Sequence, residues 1–286
     1  MPPDGAPAAP DGLNSQRLVG ELEALGVRKG DLLMVHASLR KIGLARSEYG
    51  EGGAELLLDA LEAAVGPQGT LLMILGSQYD MDWVNERPVA ERAGLLAGSA
   101  PFDTATAPAM TDVGWLAEAF RRRPGTILSD NPSGRFGARG ARASELVADQ
   151  PWHDYYGPGS PLEKLCDWGG KVLRLGASPD TVTALHYAEY LAPLPDKRRT
   201  RWDYLIAGDH APRHVWVECL DDNQGIAPRD GEDYFALILK DFLTQKRHHS
   251  GQFGQTNAEI FQASDIVDFG SEWMGKHLAR LVWPVD

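Results

Sequence analysis

Cysteine is scarce in this chain of 286 residues, where Cys166 and Cys219 lie far apart and each falls within an apolar stretch. This scarcity excludes a small disulfide-stapled scaffold and is typical of two buried thiols in a reducing compartment. Basic residues are also in deficit, because Lys and Arg total 28 against 40 Asp and Glu, a formal charge of −12. That charge opposes nucleic acid and anionic membranes as partners, whereas it suits both solubility and a cationic ligand.

Long apolar runs are missing as well, and none reaches the roughly 20 residues of a membrane-spanning helix. Residues 1–12 lack the basic and apolar regions of a signal peptide, so we expect a disordered tail and a cytoplasmic protein. Residues 13–286 are numerous enough to bury a substantial core, and we expect them to form a single domain.

Several catalytic signatures are absent. The chain contains neither the dinucleotide-binding nor the nucleotide-triphosphate glycine pattern, and it has no Gly-x-Ser-x-Gly nucleophile elbow. His210 with His214, and the adjacent pair His248 and His249, do not complete a zinc-binding spacing. We therefore expect no metal, although a metal-dependent hydrolase stays open as an alternative class.

The first third of the chain has a clear βαβ pattern. Apolar residues at helical spacing predict a helix over 15–25, with Asn14 or Ser15 as N-cap and Gly26 as its stop. An apolar run at 31–38 predicts a buried strand, and a helix over 53–65 and a second strand over 69–75 follow it. This order predicts a parallel strand pair.

Residues 77–110 interrupt that rhythm and predict a substrate-side insertion, with one short helix near 87–97. The remaining patterns predict two strands, 171–175 and 213–220, and five helices, 113–123, 140–149, 162–166, 233–245 and 256–281. The fold class is therefore α/β, layered α/β/α with a central mixed β-sheet.

The most informative stretch follows the strand at 171–175. A helix starting at Pro179-Asp180-Thr181 would carry His186 and Glu189 on one face, three residues apart. A carboxylate beside an imidazole fixes one tautomer and stabilises the imidazolium formed when a proton is taken up. The pair thus predicts a general base, although His-x-x-Glu is also common as an ordinary helix surface pair.

A second candidate site lies where the strand at 31–38 turns polar. His36, Ser38, Arg40 and Lys41 place a hydroxyl and two cations beside exposed backbone N–H groups. Such strand ends often form ligand sites in α/β proteins, so this one could hold a phosphorylated cofactor. A polar strand end without a ligand is the alternative interpretation.

Six segments stand in register along the chain: Leu-Met-Val-His-Ala-Ser-Leu-Arg-Lys-Ile-Gly (33–43), Gly-Pro-Gln-Gly-Thr-Leu-Leu-Met (66–73), Pro-Phe-Asp-Thr-Ala-Thr-Ala (101–107), Ser-Asp-Asn-Pro-Ser (129–133), Gly-Pro-Gly-Ser-Pro-Leu-Glu-Lys-Leu (157–165) and residues 172–191. Together they resemble the aminoglycoside 3-N-acetyltransferase family, antibiotic N-acetyltransferases whose fold differs from that of the GNAT superfamily. One departure is Asn131-Pro132, where many members have His-Pro and some have Asn. The resemblance covers nearly the whole chain after the tail.

This resemblance implies an antibiotic N-acetyltransferase-like fold, acetyl-CoA as cosubstrate and antibiotic resistance as the outcome. The acceptor would be a 2-deoxystreptamine aminoglycoside, with His186 as general base toward its 3-amino group, Glu189 in support and direct transfer without a covalent enzyme intermediate. A monomer or a homodimer is expected. The implied CoA-binding residues are His36, Ala37, Ser38, Arg40, Lys41, Gly43 and Thr111, with Asp112 as the alternative to Thr111 near the thioester.

A cationic aminoglycoside would be bound by carboxylates and tyrosines through charge-assisted hydrogen bonds. The expected residues are Tyr79, Asp80, Asp154, Tyr155, Asp180, Glu189, Glu232 and Asp233. Because the segment from Tyr79 to Pro101 varies among members, drug specificity stays open. Two alternatives keep the fold: an acetyltransferase acting on a different amine, and a non-catalytic aminoglycoside-binding protein.

Overall fold

A computed structural model of the chain describes residues 13–45, 52–208, 210–228, 231 and 233–279. The expected tail at 1–12 lies outside these residues. No helix in the described ranges is long and apolar enough to cross a membrane. The helices are α1 (Ser15–Leu25), α2 (Leu39–Ile42), α3 (Gly52–Val65), α4 (Val89–Leu96), α5 (Trp115–Arg122), α6 (Ala143–Val147), α7 (Pro161–Asp167), α8 (Leu185–Leu191), α9 (Tyr234–Thr244) and α10 (Ala263–His277).

A mixed seven-stranded sheet forms the centre of the fold and confirms the predicted class. Its strands are β1 (Leu32–Ala37), β2 (Thr70–Ile74), β3 (Ile127–Leu128), β4 (Phe136–Gly140), β5 (Lys171–Leu175), β8 (His249–Phe253) and β9 (Thr256–Gln262). They lie in the order β3-β4-β2-β1-β5-β9-β8. The central β2, β1 and β5 are parallel, so the predicted βαβ unit is confirmed, and antiparallel strands complete both sides. Two further strands, β6 (Arg199–Ile206) and β7 (Arg213–Leu220), pair as a separate antiparallel sheet.

The layering follows from the alternation of side chains along the central strands. In β1, Met34 enters the hydrophobic core on one face of the sheet and Leu33 enters the core on the other face. Helices α1, α3 and α5 cover the Leu33 face, whereas α7 to α10 cover the Met34 face. Both faces of a parallel centre are thereby buried, as its continuous apolar strands require.

Local capping explains several helix ends. The Asn14 side chain accepts a hydrogen bond from the Arg17 N–H at 2.9 Å, and Gly26 ends α1 with a φ of 106°. Asp233 caps α9 by accepting from the Phe235 N–H at 2.8 Å. The predicted ends of both helices are therefore confirmed.

Three predicted helix starts are wrong. The helix predicted over 140–149 spans only Ala143–Val147, because Gly140 ends strand β4. The segment predicted as one helix over 256–281 begins as strand β9, paired between β5 and β8, and only becomes α10 at Ala263. The helix that carries His186 starts at Leu185 instead of Pro179. Its expected first turn is a loop, because the buried Arg174 side chain binds the carbonyl groups of Ala177, Ser178 and Thr181.

The insertion near 77–110 is held against the sheet by a buried arginine. Arg135 donates hydrogen bonds to the carbonyl groups of Gly76, Thr104, Ala107 and Pro108. These acceptors lie at both ends of the insertion, so one side chain draws its two ends together. Burial lowers the pKa of Arg135 only to about 10, and the guanidinium stays charged near neutral pH.

Candidate active site

His186 and Glu189 form the centre of the site. The His186 Nδ1 atom lies 2.8 Å from the Glu189 Oε2 atom, one helical turn along α8. Glu189 is 1% exposed, whereas the His186 side chain keeps 20% of its surface accessible. With the carboxylate on Nδ1, no hydrogen bond from a described residue occupies the His186 Nε2 atom, and this nitrogen is available to a ligand.

The second oxygen of Glu189 is also held. The Tyr234 hydroxyl donates a hydrogen bond to the Glu189 Oε1 atom and accepts one from the Ile226 N–H at 3.2 Å. A Cβ at Gly225 would lie 2.9 Å from the Tyr234 hydroxyl oxygen, so the glycine leaves room for this contact. The carboxylate is therefore fixed from two sides before any ligand binds.

Two aromatic rings fix the plane of the imidazole. Tyr156 stacks on His186 with ring centroids 4.9 Å apart, and Phe235 meets the imidazole edge-on at 4.9 Å. Such contacts restrict the ring to one orientation and shield one face from water.

Electrostatics favour proton uptake by His186. Burial alone would lower the pKa of this histidine, but Glu189 raises it, Asp222 and Asp233 add to that effect, and the net pKa lies above the ordinary value of 6.5. Burial raises the pKa of Glu189, partly offset by His186 and Tyr234. The geometry supports a histidine that accepts a proton and a carboxylate that stabilises the resulting charge.

Two cavities meet at His186. The larger one has a volume of about 820 Å³ and lies at the carboxyl ends of β1 and β5, the usual position of ligand sites in α/β sheets. The smaller one has a volume of about 160 Å³ and is acidic. His186 and Asp222 line both. The other residues of the small cavity are Asp180, Glu189, Asn223, Gly225, Asp233, Tyr234 and Phe235.

The predicted cosubstrate residues divide into two groups. His36, Ala37, Ser38 and Arg40 line the large cavity, as does Asp112. The described residues that line the large cavity do not include Lys41, Gly43 or Thr111. Gly43 instead ends α2 with a φ of 92°, and the Thr111 hydroxyl bonds Gln78.

His36 is buried and uncharged at neutral pH. Burial first, and then the charge of Arg174, lowers the pKa of His36 to about 3. Its Nε2 atom accepts a hydrogen bond from the Thr183 N–H at 3.4 Å, so it joins the end of β1 to the loop that precedes α8.

Of the predicted acceptor residues, Asp180, Glu189 and Asp233 line the small cavity. Tyr155 is fully buried and reaches the site only through Asp222, to which its hydroxyl donates at 2.6 Å. Asp154 pairs with Arg199 at 2.8 Å, outside the described walls of both cavities.

The structure places Tyr79 and Asp80 away from both described cavity walls. Tyr79 is buried, packs on Phe102 and Tyr204, and accepts a hydrogen bond from the Leu205 N–H. Asp80 is exposed beside it. Glu232 lies outside the described residues.

Four site residues were missed by sequence reasoning: Tyr156, Asp222, Tyr234 and Phe235. The acidic pair Asp221-Asp222 at the end of the strand predicted at 213–220 was the one available signal, since polar strand ends often form sites. Nothing in the sequence joins Tyr234 to Glu189, because the two are 45 positions apart.

Asn131 and the two cysteines lie outside the described walls of both cavities. Asn131 is buried and donates to the carbonyl groups of Pro151 and Trp152, which fixes the loop before Tyr155. Burial raises the pKa of the Cys166 thiol to about 12 and that of Cys219 further, so both stay protonated near neutral pH. The described residues contain no group of three or more His, Cys, Asp or Glu placed to hold a metal ion.

Comparison with known proteins places this chain among the acyltransferases. The family model described as "Aminoglycoside 3-N-acetyltransferase" matches residues 34–275. Aminoglycoside N(3)-acetyltransferase VII of Streptomyces paromomycinus is 37% identical over 277 residues, which is 92% of each chain. The chain belongs to the aminoglycoside 3-N-acetyltransferase family, a family of antibiotic-resistance enzymes.

Solved structures agree with this assignment. A binary structure of AAC-IIIb with CoASH has a TM-score of 0.85 and 34% identity, covering 95% of this chain and 99% of that chain. A structure of sisomicin-bound AAC-VIa has a TM-score of 0.83 and 34% identity, covering 93% and 99%.

Proposed function

We propose that this protein transfers the acetyl group of acetyl-CoA directly to the 3-amino group of 2-deoxystreptamine aminoglycosides, with His186 as general base. The observation that carries the proposal is the position of His186, where a large cavity and a small acidic cavity meet. A base at such a junction can contact an acceptor amine on one side while the thioester approaches from the other.

The large cavity suits the donor. Its wall is mostly apolar near the sheet, with Val35, Leu39 and Met73, and becomes polar at Ser38 and Arg40. An extended thiol arm with a phosphorylated end likewise has a less polar part and a charged part. The CoASH-bound relative supports acetyl-CoA as the molecule that this cavity takes.

The small cavity suits one aminocyclitol ring. Its volume is about 160 Å³, and it meets the large cavity at His186 and Asp222. Asp180, Asp222 and Asp233 surround it with negative charge, which attracts a polyamine that is cationic at neutral pH. The sisomicin-bound relative supports an aminoglycoside as the acceptor.

The proton balance of the reaction assigns a role to each member of the pair. The neutral acceptor nitrogen attacks the thioester carbon, the N–C bond forms, and His186 Nε2 takes the proton that the nitrogen loses. The C–S bond then breaks, and the CoA thiolate takes this proton from the His186 imidazolium, which gives the free thiol and restores the neutral base. Glu189 stabilises the imidazolium in between, and such a base contributes about 10²- to 10⁴-fold to the rate.

Turnover of a purified protein tests the proposal. Sisomicin and acetyl-CoA should release free CoA, and NMR of the product should place the new amide on the 3-nitrogen. The matched control is an aminoglycoside whose 3-amine is already acetylated, which should give no release. Product acetylated at another nitrogen would contradict the proposal.

The same assay separates the two alternatives. Turnover with simple amines but with no aminoglycoside would indicate an acetyltransferase acting on a different amine. Calorimetric binding of sisomicin without turnover would indicate a sequestering protein.

A further inference from the structure

Asp222 lies at the junction of the large and the small cavity. It is the second residue after β7, and its side chain lines both the large and the small cavity. Among the described residues, only His186 shares that property. A side chain placed there faces the acceptor at the point where the acetyl group is transferred.

The Asp222 carboxylate has only neutral hydrogen-bond donors among the described residues. The Tyr155 hydroxyl donates to its Oδ2 atom at 2.6 Å, and the Cys219 thiol lies 3.9 Å from its Oδ1 atom. A thiol is a weak donor, so Oδ1 keeps most of its capacity for a further hydrogen bond.

The three buried carboxylates among the described residues each have a basic side chain as partner. Asp203 bonds Arg92 at 3.1 Å, Asp221 bonds Arg198 at 2.9 Å, and Glu189 meets the imidazole of His186. Such pairing is what makes a buried charge tolerable. Asp222 forms no ion pair with any described residue, although its immediate neighbour Asp221 does.

Burial raises the pKa of Asp222, and the charge of His186 opposes that effect. The carboxylate is therefore a group whose ionised form lacks a permanent counter-ion. A cationic ligand entering the small cavity would supply one, and an ion pair formed there would be shielded from water.

We propose that Asp222 binds an ammonium group of the acceptor through its Oδ1 atom, and that Tyr155 is a positioning residue which fixes the carboxylate through Oδ2. The inference rests on the proposed function, since it takes the small cavity as the acceptor site. Tyr155 is suited to this role because it is fully buried and burial holds its pKa well above 10, so its hydroxyl stays a donor. The acceptor class is then a polyamine with at least one ammonium besides the amine that reacts.

Steady-state kinetics of Asp222→Asn test the proposal. The substitution keeps the shape and removes the charge, so the KM for sisomicin should rise about 10- to 100-fold, the usual range for a lost hydrogen bond to a charged group. The KM for acetyl-CoA should stay within about twofold. Asp241→Asn removes the same charge far from both cavities, where Asp241 bonds Trp273, and should leave both constants unchanged.

Tyr155→Phe supplies a second, independent measurement. It removes the donor to Oδ2 without changing the charge, so the KM for sisomicin should rise by less than in Asp222→Asn, and the double variant should be no worse than Asp222→Asn alone. Additive effects in the double variant would contradict the positioning role. An unchanged KM for sisomicin in Asp222→Asn, or an equal rise for both substrates, would overturn the ammonium site.

Calorimetry distinguishes failure of this inference from failure of the proposed function. If the unaltered protein binds sisomicin but does not turn it over, the proposed function fails, and the Kd of Asp222→Asn for sisomicin still decides the inference. A weaker Kd supports the ammonium site and an unchanged Kd overturns it. If neither sisomicin binding nor turnover is found, the acceptor class is wrong and the inference falls with it.

Discussion

The His186 Nδ1 atom and the Glu189 Oε2 atom lie 2.8 Å apart within one turn of α8. An ionised carboxylate at this distance keeps the histidine proton on Nδ1, so the lone pair of neutral His186 is on Nε2. The second oxygen of Glu189 is held by Tyr234. The chain thus presents an imidazole of fixed tautomer and orientation where the large and the small cavity meet.

The pH dependence of the free enzyme should follow from this pair. Glu189 raises the pKa of His186 above 6.5. As the pH falls, His186 is therefore protonated at a higher pH than an ordinary histidine. An NMR titration of the histidine ring signals, with His186→Gln to assign the resonance, should show this shift. The titration avoids the overlapping ionisation of the acceptor amines.

Glu189→Gln is the matched variant of that titration. It keeps a hydrogen-bonding group but removes the charge, so burial then dominates and the pKa of His186 should fall below 6.5. An unchanged pKa would show that Glu189 does not set the charge state of the base.

Tyr234→Phe should separate positioning from folding. The variant leaves the Ile226 N–H without its acceptor and Glu189 with one donor fewer, which should cost about 1 to 2 kcal/mol of stability. The kcat should also fall, while the KM for acetyl-CoA stays unchanged.

Tyr79→Phe is the control for that variant. It removes another buried hydroxyl that accepts a backbone N–H, here from Leu205, but one remote from the cavities. Denaturant unfolding should show a comparable loss of stability, with kcat and both KM values preserved. Equal losses of kcat in the two variants would count against a positioning role for Tyr234.

Features that depend on residues close together in the sequence were predicted, whereas features that depend on residues far apart were mostly missed. The βαβ unit, the N-cap at Asn14, the helix starting at Asp233, and the shared face of His186 and Glu189 depend mainly on neighbours close in sequence, and the structure contains them all. The strand Thr256–Gln262 was mistaken for helix because it runs into α10 without a glycine or proline between them. Its strand character comes from pairing with β8 across a hairpin and with β5, which lies about 85 positions earlier.

In the candidate site, too, the features that were missed depend on contacts between residues far apart in the sequence or on the assembled loop. The segment at Pro179 is a loop instead of the expected first helical turn. The side chain of Arg174, a residue of β5, binds carbonyl groups of this loop. The acidic pair Asp221-Asp222 marked a strand end, but the hydrogen bond that Tyr155 donates to Asp222 from 67 positions away exists only in the folded chain. Contacts of this kind depend on the assembled fold.

Direct transfer predicts that no acetylated enzyme accumulates. Burial keeps the Cys166 and Cys219 thiols protonated, so neither is a ready nucleophile. Intact-mass measurement after incubation with acetyl-CoA alone should show the unmodified chain, and Cys166→Ala should keep full turnover. A stable gain of one acetyl group that is discharged on adding sisomicin would refute direct transfer.

The insertion should depend on Asp203 for its stability. Asp203 is fully buried and bonds Arg92 of α4 as well as Arg201 and His214 of the β6–β7 sheet. Asp203→Ala leaves Arg92 and Arg201 without their ion-pair partner and should cost about 3 to 5 kcal/mol in denaturant unfolding. The exposed pair of Asp154 and Arg199 is the comparison, and Asp154→Ala should cost about 1 kcal/mol or less.

The same residue predicts a pH effect on stability. Burial would raise the pKa of Asp203, but Arg201, Arg92 and His214 lower it below the ordinary 3.8. Its contribution is therefore complete above that value and is lost as the pH falls through the lowered pKa. Unfolding curves below about pH 4 should show a larger loss of stability in the unaltered protein than in Asp203→Ala, where only other carboxylates such as Glu118 still contribute.

The turnover of His186→Ala with sisomicin and acetyl-CoA tests the central claim most directly. Removal of the base should lower kcat by about 10²- to 10⁴-fold, with the KM for acetyl-CoA little changed and a circular dichroism spectrum like that of the unaltered protein. Turnover retained within about twofold in the folded variant would contradict the assignment of His186 as the general base.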